Sequence, residues 1–273
     1  MPELPEVETV VRDLNRLKVI GKTIKEVEVN WEKTISPLSA VEFKSKLIGK
    51  NFSALERKGK YLVFSVNDGQ TLLIHLRMSG SLYIRNKGEK VSNYERLVIC
   101  FDDEVLAFHD PRKFGRALLT KEPSTVLNKL GLEPFNAELT GETFHKMLHS
   151  KKKVLKALLL DQSFIAGIGN IYADEILFDS KLNPLRLSNS LTKDESLTLL
   201  KSMRKLLSKA IENRGTSLGD GLSNFKSDGL RGNYYTHLAV FKKDGQKCPN
   251  CSAPIEKIKV AQRTTHYCPT CQK

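Results

Sequence analysis

The sequence predicts a two-domain α+β protein: an N-terminal helix with a β-sandwich, then a helical domain that ends in a small cysteine-bearing β-hairpin. Three observations carry this. Short apolar runs punctuated by Gly, Asn and Asp fill the stretch from about Ile24 to Leu119. Helical periods replace them after about residue 131, and four of the five cysteines fall in two C-x-x-C pairs at the C-terminal end. A length of 273 residues exceeds a usual single domain and is ample for a hydrophobic core.

The first element is an amphipathic helix, because Val7, Val10, Leu14 and Leu17 recur at helical spacing with charged residues between them. Runs such as Tyr61-Leu62-Val63-Phe64, Thr71-Leu72-Leu73-Ile74, Ser81-Leu82-Tyr83-Ile84 and Val105-Leu106-Ala107-Phe108 then read as strands of a sandwich. Gly131 and Pro134 interrupt the chain, after which residues 143–148, 153–160 and 193–211 have helical periods. Residues 215–233, rich in Gly, Ser, Asn and Asp, predict a long loop of the kind that usually carries function. The expected division is 1–130, 131–235 and 236–273.

The 44 Lys plus Arg against 31 Asp plus Glu give a formal charge of +13. That favours a polyanionic partner such as nucleic acid or an anionic membrane surface, with nucleic acid ahead of a merely basic soluble protein. No apolar stretch is long enough to span a bilayer, and acidic Glu3, Glu6 and Glu8 stand where a signal peptide needs basic residues. The expected location is therefore the cytosol, where five cysteines do not make a disulfide framework. Cys100, in the apolar run 97–101, reads as core.

Cys248 and Cys251, then sixteen residues, then Cys268 and Cys271 match the spacing of a four-thiolate zinc site. Each C-x-x-C turn offers two thiolates to one ion while the intervening residues run out and back as a hairpin. A module this small needs such a staple. A redox role is disfavoured because no βαβ pattern surrounds the pairs. Four sulfurs already close a tetrahedral site, so His266 is expected at the surface or on a phosphate. From Lys242 to Lys273 seven basic residues outnumber two acidic ones, which suits Lys257, Lys259 or Arg263 to DNA phosphates.

Several motifs, in order along the whole chain, resemble the formamidopyrimidine-DNA glycosylase family. They are the start Pro2-Glu3-Leu4-Pro5-Glu6-Val7, then Arg57-Lys58-Gly59-Lys60-Tyr61-Leu62 and His75-Leu76-Arg77-Met78-Ser79-Gly80. Asp110-Pro111-Arg112-Lys113-Phe114-Gly115, Ala166-Gly167-Ile168-Gly169-Asn170-Ile171-Tyr172-Ala173-Asp174-Glu175 and the cysteine pairs follow. The resemblance implies a helix-two-turns-helix second domain with a zinc-finger hairpin, one structural zinc, and double-stranded DNA containing oxidised bases as the partner of a monomeric enzyme. DNA would lie in the cleft between the domains.

It also implies roles. Methionine before proline is usually trimmed, leaving Pro2 as a secondary amine with an appreciable neutral fraction near neutral pH. That amine would attack C1′ of the damaged nucleotide, with Glu3 as acid and base and Glu6 in support. Lys60 would contact the damaged nucleotide or its phosphate, although pattern alone makes it a solvated turn lysine. Met78, Arg112 and Phe114 match the residues that fill the hole left by a flipped nucleotide, where pattern alone makes Met78 and Phe114 ordinary core. Asn170 and, second to it, Lys156 would contact phosphates, beside the Arg263 that the basic hairpin offers; His75 and Arg77, both with less weight, would also hold the backbone.

The pattern departs from the family after Gly215 and Thr216, where relatives commonly carry Lys or Arg and this chain has Gly219; the stretch up to Cys248 is also longer. The choice among 8-oxoguanine, formamidopyrimidines and oxidised pyrimidines therefore stays open at this point. So do two rival readings: an endonuclease VIII-like enzyme acting on oxidised pyrimidines, and a non-catalytic zinc-stabilised protein that binds damaged DNA.

Overall fold

The computed structural model describes residues 1–89, 92–216 and 232–273. They form two compact units, Met1–Asn128 with Asn213–Asn233, and Lys129–Glu212 with Tyr234–Lys273. No helix among the described residues is long and apolar enough to cross a membrane.

In the first unit, helix α1 (Leu4–Arg16) lays Val7, Val10, Val11 and Leu14 into the core. Two antiparallel four-stranded sheets follow. One has the order β1-β6-β7-β5, with β1 Glu26–Val29, β5 Ser81–Asn86, β6 Glu95–Cys100 and β7 Glu104–His109. The other has the order β2-β3-β4-β8, with β2 Phe52–Lys58, β3 Tyr61–Val66, β4 Thr71–His75 and β8 Arg116–Thr120. Alternate residues of both sheets, among them Leu62, Phe64, Leu72, Ile74, Leu97, Ile99, Leu106 and Phe108, join the α1 stripe in one core cluster. This period of two is what a sheet buried on one face requires.

The strand texture also conceals a helix. α2 (Ala40–Leu47) interrupts the sheet region, because Ser39 and Glu42 form a reciprocal capping box and Phe43 and Leu47, one turn apart, are both fully buried. A single turn, α3 (Ser124–Leu127), closes this part of the chain.

The second unit holds α4 (Gly141–His149), α5 (Leu155–Leu160), α6 (Asn170–Asp179) and α7 (Lys193–Glu212). The hairpin of β9 (Glu256–Val260) and β10 (Arg263–Tyr267) completes it. α6 is buried over most of its surface, from Ile171 to Phe178, its two carboxylates Asp174 and Glu175 included. Glu175 anchors the chain leading to the hairpin: its carboxylate accepts the N–H groups of Ala239, Val240 and Phe241 at 2.7, 2.9 and 2.8 Å. Burial pushes this carboxyl above the usual range even against those three donors.

Candidate active site and DNA-contacting residues

The N-terminal end of α1 is a buried acidic corner. Pro2 is buried, and Glu3 and Glu6 are each 2% exposed, whereas Met1 is 48% exposed. Glu3 caps the helix, and its backbone N–H donates to Glu6 Oε2 at 2.8 Å. The other oxygen, Glu6 Oε1, accepts the N–H of Thr216 at 2.7 Å. Gly215 sits against the same carboxylate: a Cβ there would come within 2.6 Å of Glu6 Oε1 and 2.9 Å of its Cγ, and its φ of +74° is left-handed. Asp13, two turns further along the same face of α1, is ion-paired to Arg214 at 2.7 Å. Thr216 and Asn233 form a bridge, so Asn233 also joins this corner. The segment 217–231, including Gly219, lies outside the described residues.

Lys60 lies in the tight turn between β2 and β3 and is only 5% exposed, so it is not a solvated turn lysine. Arg57, on the same turn, is bound to Glu8 of α1 at 2.9 Å, which ties the turn to the helix that carries the acidic corner. Burial pushes Glu8 up, but Arg12 and Arg57 outweigh it and hold the carboxyl below its ordinary range.

His75, at the end of β4, packs edge-on against Tyr61 with ring centroids 4.7 Å apart. Its Nδ1 accepts the Arg77 N–H at 3.0 Å, which leaves the proton on Nε2. Burial, together with the charges of Arg77 and Lys60, pushes its pKa down to about 3. Any contact His75 makes is therefore that of a neutral N–H donor.

Met78 and Phe114 are 46% exposed each. Their exposure removes the reading as core. The Arg112 guanidinium stacks on the Phe114 ring at 4.9 Å. One carboxylate that sequence reasoning passed over organises both loops: Asp110, 1% exposed, accepts Ser79 Oγ at 2.5 Å, the Arg112 N–H at 3.2 Å and the Gly115 N–H at 2.6 Å. The available signal was the Asp-Pro turn type of residues 110–111.

In the second unit Asn170 starts α6 and donates from Nδ2 to the Thr264 carbonyl at 2.9 Å, beside exposed Arg263 at the start of β10. Its Oδ1 is buried with no hydrogen-bond partner among the described residues. Two sequence expectations are corrected here. Lys156, expected on a phosphate, is fully buried; its ammonium is ion-paired with Asp174 and donates to the Asn170 carbonyl at 3.1 Å. His266, expected at the surface or on a phosphate, is 4% exposed, with Nδ1 3.3 Å from Asp174 and Nε2 3.4 Å from Asp244. Asp174 also accepts the His266 N–H at 3.1 Å. A buried carboxylate needs such partners, and these two residues supply them.

The four cysteine sulfurs converge within 4.8 Å of one another, with Cys248 and Cys271 3.8 Å apart and Cys251 and Cys268 3.5 Å apart. A tetrahedron with Zn–S bonds of about 2.3 Å has edges of about 3.8 Å. The set therefore fits one structural zinc ion. Backbone N–H groups of Asn250 and Cys271 point at the sulfurs of Cys248 and Cys268, both at 3.4 Å, as thiolate ligands require.

Family models cover nearly all of this architecture. The formamidopyrimidine-DNA glycosylase N-terminal domain matches residues 1–117, the H2TH domain of the same glycosylase matches 130–220, and a zinc finger found in FPG and IleRS matches 245–273. The chain belongs to the formamidopyrimidine-DNA glycosylase family. Relatives bearing the family name include one from Protochlamydia amoebophila, 42% identical over 275 residues, and one from Lactiplantibacillus plantarum, 44% identical over 278 residues. Both alignments cover all of either chain. Among solved structures, the Lactococcus lactis Fpg in complex with DNA containing N7-benzyl-Fapy-dG superposes with a TM-score of 0.91 at 35% identity, over 100% of both chains. The same enzyme bound to DNA containing an abasic site gives 0.91 at 36% identity, over 99% of each. Both are members of the family caught on damaged DNA.

Proposed function

We propose that this chain is a bifunctional DNA glycosylase and abasic-site lyase of base excision repair, releasing oxidised purines, 8-oxoguanine and formamidopyrimidines, from duplex DNA. Full-length similarity to enzymes of that name supports the activity, and their capture on lesion DNA supports the partner. The observation that carries the mechanism is the placement of Pro2 beside two buried carboxylates, one of them locked by two backbone N–H groups.

Removal of exposed Met1 frees the Pro2 nitrogen. Its lone pair attacks C1′ of the flipped nucleotide, and the glycosidic bond breaks with its electrons going to the base; the nitrogen then loses its proton, the sugar ring opens at C1′–O4′ with O4′ taking a proton, and the nitrogen becomes an iminium. Glu3 supplies and removes protons at the sugar. The cationic nitrogen acidifies the C2′ proton, whose loss expels the 3′ phosphate; a second elimination expels the 5′ phosphate and leaves a gap. Glu6 cannot drift from Glu3 without breaking a buried hydrogen bond, so its role is to hold the corner. Lys60 offers a compact positive charge to the damaged nucleotide.

The exposed Met78 and the stacked Arg112–Phe114 pair enter the void, with Arg112 bonding the cytosine left without a partner. Asn170 and Arg263 hold backbone phosphates, and His75 holds another as a neutral donor. Cys248, Cys251, Cys268 and Cys271 hold the zinc, which staples the hairpin that carries Arg263. The three functional parts are 1–130, 131–235 and 236–273, working as a monomer in the cytoplasm.

The test is borohydride trapping of Met1-processed protein on a duplex with 8-oxoguanine opposite cytosine. A covalent adduct that is lost when Met1 is retained, which ties up the Pro2 nitrogen in a peptide bond, supports the reading. No adduct with purine lesions, with duplex binding intact, would overturn it.

A further inference from the structure

We propose that Trp31 is a positioning residue for the Arg112–Phe114 pair and so for discrimination of the base opposite the lesion, acting through Lys113; this rests on the glycosylase reading above. Trp31 is the one tryptophan of the chain. It follows β1 and precedes a short helical turn, Glu32–Thr34, with its carbonyl accepting the Thr34 N–H at 2.9 Å.

The residue before it is fixed to β6: Asn30 donates its N–H to the Arg96 carbonyl at 3.0 Å and its Nδ2 to the Glu95 carbonyl at 3.2 Å. Arg96 in turn donates from Nε to the Asp110 carbonyl at 2.8 Å. Trp31 and the loop that begins at Asp110 therefore hang from the same strand.

The loop returns to Trp31 at Lys113, whose ammonium lies 4.1 Å from the indole centroid, with Lys33 at 5.8 Å. Lys113 has a φ of 61°, a left-handed conformation that a lysine rarely adopts and that persists only where its surroundings over-determine it. Two sets of contacts do so. The Asp110 carboxylate binds the N–H groups of Arg112 and Gly115, and the indole face binds the side chain of Lys113 between them. The Trp31 Nε1 is buried with no hydrogen-bond partner among the described residues, so the ring acts through its face. With Lys113 drawn onto Trp31, its neighbours Arg112 and Phe114 are left exposed and stacked on one another.

The experiment uses zinc-loaded, Met1-processed protein in single-turnover excision of 8-oxoguanine opposite cytosine and opposite adenine, with thermal melting in parallel. Trp31→Leu and Lys113→Met are each expected to narrow the cytosine-over-adenine rate ratio about fivefold, the scale of one exposed cation–π contact. The double variant should be no worse than either, and Trp31→Phe should restore most of the ratio.

Equal loss of both rates with a lower melting temperature, or additive effects in the double variant, would overturn the proposal. Excision from neither duplex by the wild type would instead sink the glycosylase reading. The link is then read from the emission of the single tryptophan on binding duplex DNA: a shift present in wild type and lost in Lys113→Met supports it, and an equal shift in both overturns it.

Discussion

Glu6 and Thr216 are 210 positions apart in the chain, yet the Thr216 N–H donates to Glu6 Oε1 at 2.7 Å while the second Glu6 oxygen holds the Glu3 N–H. The carboxylate thus bonds both the N-terminal end of the chain and Thr216, the last described residue before the segment expected to cover the lesion. Glu6→Gln keeps the shape but presents an amide donor to one of two N–H donors. It should cost about 1–3 kcal/mol in stability and slow base release more than it weakens duplex binding. Gly215→Ala should act on the same contact, through Cβ overlap with Glu6 and a disfavoured φ. Melting curves and single-turnover rates of the two variants check this, and wild-type behaviour of Gly215→Ala would refute it.

His75 gives a signed pH dependence. Its folded pKa is pushed down to about 3 from an unfolded value of about 6.5. Between those values the unfolded chain binds a proton that the native state does not, so stability falls as pH drops from about 6.5 toward about 3. His75→Gln should flatten this part of the profile, as followed by denaturant unfolding at several pH values. Above pH 6.5 the His75 contribution to DNA affinity should not change with pH.

Asp174 and Lys156 form a fully buried pair. Asp174→Asn leaves the Lys156 charge without its counterion and should destabilise the protein by about 3–5 kcal/mol. Lys156→Met with Asp174→Leu should recover much of that loss. Chemical denaturation of the single and double variants tests the difference, and a single variant as stable as wild type would contradict it.

One zinc ion per chain is expected by atomic absorption. Its removal by a chelator should loosen the cluster of Phe178, Val240, Cys248, Ile255 and Cys268 and weaken DNA binding sharply. The β-sandwich core, which shares no residue with that cluster, should keep its protection from hydrogen exchange.

Much of this was legible from the order of residues. The alternation of strands, the stripe of α1 and the cysteine spacing are local patterns repeated many times, so each survives without knowledge of the fold. α2 was missed because two turns of helix lie inside a strand-rich stretch, and its capping box, Ser39 with Glu42, is a short signal. The fates of Lys156 and His266 were not readable, because both depend on Asp174, 18 and 92 positions away. The family resemblance placed Lys156 on a phosphate and the complete cysteine set left His266 to the surface or a phosphate; a buried carboxylate took both instead. The role of Asp110 was hidden for the same reason, since its partner Ser79 lies 31 positions earlier.

The distance along the chain between Glu6 and Thr216 also has a consequence in time. A ribosome adding about 5–20 residues per second delivers Thr216 about 10 to 40 s after Glu6 has been joined. Throughout that interval a nascent chain with its sandwich already folded has an acidic corner with a missing donor. The corner thus closes around Glu6 only when synthesis is nearly over, and a fragment that stops short of Thr216 lacks this second carboxylate contact.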